Sequence, residues 1–212
     1  LSTYLIGYNH EIQRWLSRLL VKLGFATGDA PDDVADAEDG SSVVFLGCFR
    51  EASSILYEIE SQSDEIGSGG MIGQVLVIDF NPVVLQELKR RRIRCLYGDV
   101  AHMDTLHHAH IQSAKLVVCT ISDAILRGTT NARLLRQARR LCPSALVVAA
   151  ADNIPSAIAL YEQGADFVYI ARLHSAQHMA DLIARAVRDE DGFKGFRENE
   201  VRLLKQREEV LP

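Results

Sequence analysis

Long apolar runs are missing from this sequence. No stretch approaches the roughly 18 apolar residues that cross a bilayer, and no secretory leader is visible. A basic excess is missing too: Lys+Arg 23 against Asp+Glu 28 leaves a net charge of −5, so no global field favours nucleic acid and none is expected as a partner. Cysteines are few. Cys48, Cys95, Cys119 and Cys142 stand singly, with no Cys-x-x-Cys pair and no histidine at zinc spacing, which argues against a metal site. They read as reduced, mostly buried thiols of a cytoplasmic protein. No Ser/His/Asp or Cys/His arrangement announces a nucleophile. Apolar side chains are present in quantity. At 48% hydrophobic, 212 residues suit one ordinary domain with extensions. The chain begins at Leu1 and not at Met, and is read as a piece of a longer polypeptide.

Four regions follow from composition and periodicity. Residues 1–24 put Ile12, Trp15, Leu16, Leu19, Leu20 and Leu23 on one helical face, with Arg14, Arg18 and Lys22 on another. This amphipathic helix either docks on protein or lies at a membrane interface, and both readings stay open. Residues 25–40 hold six acids and no base, the composition of a solvated linker. Residues 41–190 alternate strands and helices. Strands are expected at 42–46, 74–79, 93–97, 115–120, 145–150 and 166–170. Helices are expected near 50–60, 82–91, 102–109, 126–141, 154–163 and 173–189. Strands separated by helical runs imply right-handed crossovers and a parallel sheet. The fold class is therefore α/β: a Rossmann-like, doubly wound, six-stranded sheet of order 3-2-1-4-5-6. Residues 191–212 form a charged, helix-permissive tail in which Leu203, Leu204, Val210 and Leu211 are expected to pack on a neighbour.

The run from Val43 to Asp79 reads strand, glycine turn, helix, strand and acid, the outline of a mononucleotide-binding βαβ unit. The fingerprint G-x-G-x-x-G/A is met by Gly47 and Ala52, but Phe49 stands at the second glycine position and should crowd a pyrophosphate. The acid also comes late, and Ser61–Gly73, with four glycines and three serines, reads as an inserted loop that absorbs the excess. The competing reading is a domain that kept the turn and lost the ligand. Cys48 within the turn either senses oxidants or is a small side chain that fits, and the second is favoured.

In an open α/β sheet, ligands sit beyond the carboxyl ends of strands. Those ends carry small or polar residues here: Gly47, Asp79, Gly98-Asp99, and Thr120-Ile121-Ser122-Asp123. Asp79 can accept from ribose hydroxyls. Asp99 can accept from an adenine amino group or cap the next helix. Thr120 and Ser122 can bond a ligand or satisfy their turn. Lys89, Arg90, Arg91, Arg92 and Arg94 read as a solvated helix C-terminus; Asp79 would repel a 2′-phosphate. His107, His108 and His110 point in different directions, against a shared metal. A dehydrogenase would need a substrate domain and an acid/base group that the chain does not present. A nucleotide site without chemistry suggests a sensor, not an enzyme.

The ordered set Val43-Val44-Phe45-Leu46-Gly47, Val77-Ile78-Asp79-Phe80-Asn81-Pro82, Tyr97-Gly98-Asp99, Ala114–Val118 with Thr120–Asp123, and Gly164–Val168 resembles the RCK/KTN (TrkA-N type) regulatory domain. Tyr4–Leu20, Gly47–Ser54 and Gly128-Thr129-Thr130-Asn131 are similar to Kef-type antiporters of the monovalent cation:proton antiporter-2 group. The resemblance implies a homodimeric regulatory domain at the cytoplasmic face of a bacterial inner membrane, attached to the membrane transport domain of the same polypeptide. It implies an adenine nucleotide as ligand, AMP or NAD(H) first, ATP or ADP next. It places Gly47, Cys48, Phe49, Arg50 and Glu51 at the phosphate loop, Asp79, Phe80 and Asn81 at the ribose, Gly98, Asp99 and Val100 beside adenine, and Thr120, Ile121 and Asp123 at the rim. Two alternatives remain: a ligand-free dimerisation scaffold, and an NAD-dependent oxidoreductase fragment.

Overall fold

The computed structural model describes residues 41–63 and 70–211. The expected N-terminal helix (1–24) and acidic linker (25–40) lie outside the described residues. Six parallel strands form one sheet: β1 (Val43–Leu46), β2 (Val75–Asp79), β3 (Arg94–Tyr97), β4 (Leu116–Cys119), β5 (Leu146–Ala150) and β6 (Phe167–Tyr169). Their order is β3-β2-β1-β4-β5-β6, with Val44 opposite Leu76 on one side and Val117 on the other. The order reverses between β1 and β4, so the crevice expected at a switch point opens there.

Seven helices connect and follow the strands in the described residues: α1 (Arg50–Ser63), α2 (Pro82–Arg90), α3 (Met103–His108), α4 (Asn131–Leu141), α5 (Ile154–Glu162), α6 (Ala171–Arg188) and α7 (Glu190–Gln206). Strand side chains alternate between two buried layers. Val44, Leu46, Val117, Cys119, Val147 and Ala149 pack with Leu106 of α3, Leu134 and Leu135 of α4 and Leu160 of α5. Phe45, Val75, Val77 and Val118 pack with Ala52 and Leu56 of α1 and Val84, Leu85 and Leu88 of α2. Burial on both faces explains the near-continuous apolar strands.

Local signals set the helix ends. The Asn81 side chain caps α2 by accepting from Val83 N at 3.0 Å, with Pro82 in the first turn. Asn153 does the same for α5 with Ser156 N at 2.9 Å, and Thr130 accepts from Arg133 N at 3.3 Å to start α4. Helices α2 and α5 end in the same motif. Ile93 N reaches Leu88 O at 2.9 Å and Arg92 N reaches Lys89 O at 3.0 Å, while Ala165 N reaches Leu160 O at 3.0 Å and Gly164 N reaches Tyr161 O at 2.9 Å. The left-handed position is Gly164 (φ 96°) in one and Arg92 (φ 59°) in the other.

Several expectations are corrected. Helix α1 extends to Ser63 and a 3-10 turn covers Met71–Gln74, so the expected loop at 61–73 is helical at both ends, and its centre, 64–69, lies outside the described residues. Helix α4 starts at Asn131, not 126, because Gly128 (φ 70°) turns the chain and Thr130 caps it. The basic cluster is not simply solvated: Arg91, its side chain 9% exposed, bonds Glu87 at 2.8 Å and Glu60 at 3.1 Å. Val210 and Leu211 pack on the α1 side of the same chain.

Candidate functional site

At the carboxyl ends of β1, β2 and β4 lies a cavity of about 310 Å³, at the small end of ligand pockets. Gly47 forms its floor. Its φ of 86° and the space around it both require glycine: a Cβ would lie 2.3 Å from Ile121 Cδ1. Its N–H donates to Ile78 O at 2.8 Å, fixing the turn to β2. Asp79, 6% exposed, then accepts from Cys48 N through Oδ2 and from Asn81 N through Oδ1, each at 2.7 Å. Burial pushes the Asp79 carboxyl above its ordinary range, and the amide bonds from Cys48, Asn81 and Phe80 pull against that rise without cancelling it. The β2 acid thus holds the glycine turn in place. Each of its oxygens keeps a further lone pair for a ligand hydroxyl.

Cys48 is buried beside Asp79, and its thiol is pushed up to about 12, by burial first and by the Asp79 charge second. A thiol held neutral is a poor nucleophile and a poor oxidant sensor, which supports the packing role. Phe49 lines the cavity, with the Arg50 guanidinium 5.7 Å above its ring on the side of solvent. Arg50 and Glu51 stand in the first turn of α1 and are not in the cavity wall.

On the β3 side, Asp99 Oδ1 accepts from Ala101 N at 2.8 Å, while its other oxygen lies 3.5 Å from His102 Nε2. Asp99 therefore stabilises its own turn and faces the cavity together with buried Val100. Gly98 is outside the wall. A Cβ there would lie 2.3 Å from Thr105 Cγ2, so glycine lets α3 pack close to β3. Phe80 and Asn81 line the cavity, Phe80 with its ring exposed.

On the β4 side, Ile121 lines the cavity, but Thr120 and Asp123 do not. Asp123 Oδ1 instead accepts from Asn131 N at 2.6 Å and from Asn131 Nδ2 at 2.8 Å, and the same Nδ2 donates to Ile121 O. This clamp shapes the loop that carries Ile125, Leu126, Arg127 and Thr129 into the wall. Thr120 Oγ1, Thr129 Oγ1 and Asn131 Oδ1 are buried without a hydrogen-bond partner among the described residues, three unmet polar groups on the segment that follows β4. Arg127 is the cation of the wall, which also carries the Asp79 and Asp99 carboxylates. These loop residues were not among the sequence candidates. The Gly128-Thr129-Thr130-Asn131 run was the available signal. Leu211, also in the wall, had none. Among the described residues no group of His, Cys, Asp and Glu side chains could hold a metal.

The family profile described as the TrkA-N domain matches residues 63–171, half of the chain. The chain belongs to the TrkA-N family. The match takes in β2 through β6 and begins at the end of α1, so the glycine turn lies before it. This TrkA-N chain is similar in structure to the TrkA-N domain of the inner membrane protein ybaL from Escherichia coli. The identity is 23% and the TM-score 0.55, over 68% of this chain and 98% of that one. It is also similar to the NAD(P)-binding domain of an exopolyphosphatase-related protein from Archaeoglobus fulgidus, at 15% identity and a TM-score of 0.52, over 67% of this chain and 97% of that one. At these identities the likeness shows the fold, the Rossmann-like sheet expected. No curated protein sequence matches the chain.

Proposed function

We propose that this TrkA-N chain is the cytoplasmic, ligand-sensing domain of a bacterial monovalent cation (K⁺ or Na⁺)/proton antiporter, and that it binds an adenine nucleotide to gate transport. The observation that carries the reading is the cavity at the β1/β4 switch point, where buried Asp79 holds the glycine turn and shares the wall with Asp99 and Arg127. Carboxylates accept from sugar hydroxyls. Arg127 and the N-terminus of α1 favour an anion. The rings of Phe49 and Phe80 offer faces to a base. Family membership, the inner-membrane setting of the ybaL protein and the NAD(P)-binding role of the Archaeoglobus domain all agree with it.

The small volume and the phenyl ring at position 49 favour one nucleoside unit, as in AMP, over a dinucleotide. The wall is apolar around two carboxylates and one arginine, a set suited to holding a ligand, which places an oxidoreductase fragment behind the sensor reading. No helix among the described residues is long and apolar enough to cross a membrane, so the transport pore belongs to another part of the polypeptide in this proposal. Exposed apolar side chains on α5 (Ile154, Ile158, Tyr161) and α6 (Met179, Ile183, Val187) support a homodimer.

One observation favours the ligand-free scaffold: the Cys48 amide, which a phosphate could use, is already bonded to Asp79. Titration calorimetry with AMP on wild type and Asp79→Ala separates the two. Binding that disappears in the variant while its circular dichroism is retained supports the sensor. Equal binding refutes the site, and none in wild type leaves the scaffold.

A further inference from the structure

One residue of the cavity wall, Leu211, lies far along the sequence from the others. After α7, residues 207–211 run back along α1. The Arg207 guanidinium lies 4.4 Å over the Tyr57 ring, bonds Glu58 at 2.6 Å and contacts Glu209. Glu209 in turn accepts from Ser54 Oγ at 2.9 and 3.0 Å. Val210 is buried in the layer that holds Ala52 and Leu56. Leu211 N donates to Ser53 Oγ at 2.7 Å, and Ser53 Oγ donates back to Leu211 O at 3.3 Å. Ser53 is 0% exposed, so removing this segment strips its buried hydroxyl of these bonds. Leu211 then meets the cavity beside Gly47, Cys48 and Phe49.

Ser53, Ser54, Tyr57 and Glu58 share one face of α1, the helix whose first turn follows the glycine turn. A ligand at that turn and the segment docked on that face therefore act on the same element. We propose that residues 207–211 are a strap that closes the nucleotide cavity, and that strap docking and ligand binding strengthen each other. The inference rests on the reading of the cavity as an adenine-nucleotide site and adds its regulation. A ligand that prefers the strapped state shifts the chain toward it, and by linkage a docked strap raises ligand affinity by the same factor. Because the strap continues α7, ligand binding also fixes the end of a helix that displays Val201, Leu203 and Leu204 to solvent.

The test uses the full chain, with AMP as probe, and the double variant Arg207→Ala, Glu209→Ala, which cuts the latch without touching the core residues Val210 and Ser53. Two readouts are taken: the dissociation constant for AMP, and hydrogen exchange of the peptide spanning 207–211 with and without AMP. The strap predicts slower exchange of that peptide on AMP binding and an affinity at least about fivefold weaker in the variant. Equal affinity, or exchange that AMP leaves unchanged, overturns it. If wild type binds no AMP, the nucleotide reading fails by itself. The strap is then judged by maleimide labelling of Cys48, followed by peptide mapping: faster labelling in the variant supports a closing wall, and equal rates refute it.

Discussion

Gly47 and Asp79 meet at the floor of the cavity and constrain each other. Gly47→Ala imposes a left-handed backbone on a side chain, at about 1–3 kcal/mol, and drives its Cβ against Ile121. Urea denaturation should show that loss, and ligand binding should fall with it. Asp79 could be read as an acid at a strand end. Its second task, holding the Cys48 amide, could not, because side-chain-to-backbone bonds across 31 positions leave no periodic trace. Cys48 shows the reverse case. Its place in the turn leaves two readings open, and its burial, with the thiol pushed up to about 12, favours packing. Labelling of native protein at pH about 8 should modify Cys48 far more slowly than the unfolded chain, whose thiols titrate normally. Of the fourteen candidate positions, nine line the cavity, whereas Arg50, Glu51, Gly98, Thr120 and Asp123 do not.

At the level of elements, strand positions were legible because both layers bury them, and apolar runs bounded by glycine, proline or acids have few other uses. Helix ends were less so. The start of α4 depends on the Asp123–Asn131 clamp and on Gly128, tertiary and backbone features that override the helical pattern from 126. Helix α2 offers two tests. Its left-handed Arg92 copies the position that Gly164 fills after α5, so Arg92→Gly should stabilise the domain by about 1 kcal/mol, the left-handed penalty less the added chain entropy of glycine. A Tm equal to or below wild type would contradict that. Glu87, bonded first by Arg90 and then by Arg91, is held down to about 2. A depressed carboxyl stabilises the fold above its ordinary range and loses that contribution as pH falls through the folded value. Denaturation between pH about 5 and 2 should therefore weaken wild type more steeply than Glu87→Gln.

Over the whole molecule, the sheet order follows from local units, whereas two features do not. The return of residues 207–211 to α1 is a contact between distant parts of the chain that no local pattern announces. The exposed apolar faces of α5 and α6 look, in sequence, like any half-buried helix; only the fold shows Ile183 and Val187 at 59% and 83% exposure. Ile183→Glu should change the unfolding free energy by no more than about 0.5 kcal/mol if the chain is monomeric, and should shift light-scattering mass from dimer to monomer if that face self-associates as proposed. In the proposed reading, the switch-point cavity senses an adenine nucleotide. Its most direct test is a thermal-shift screen of the chain against AMP, ADP, ATP, NAD⁺ and NADH, with Asp79→Ala alongside. A nucleotide sensor gives a concentration-dependent rise in Tm, largest for AMP and absent in the variant. A flat response to all five, or the same rise in both proteins, would contradict it.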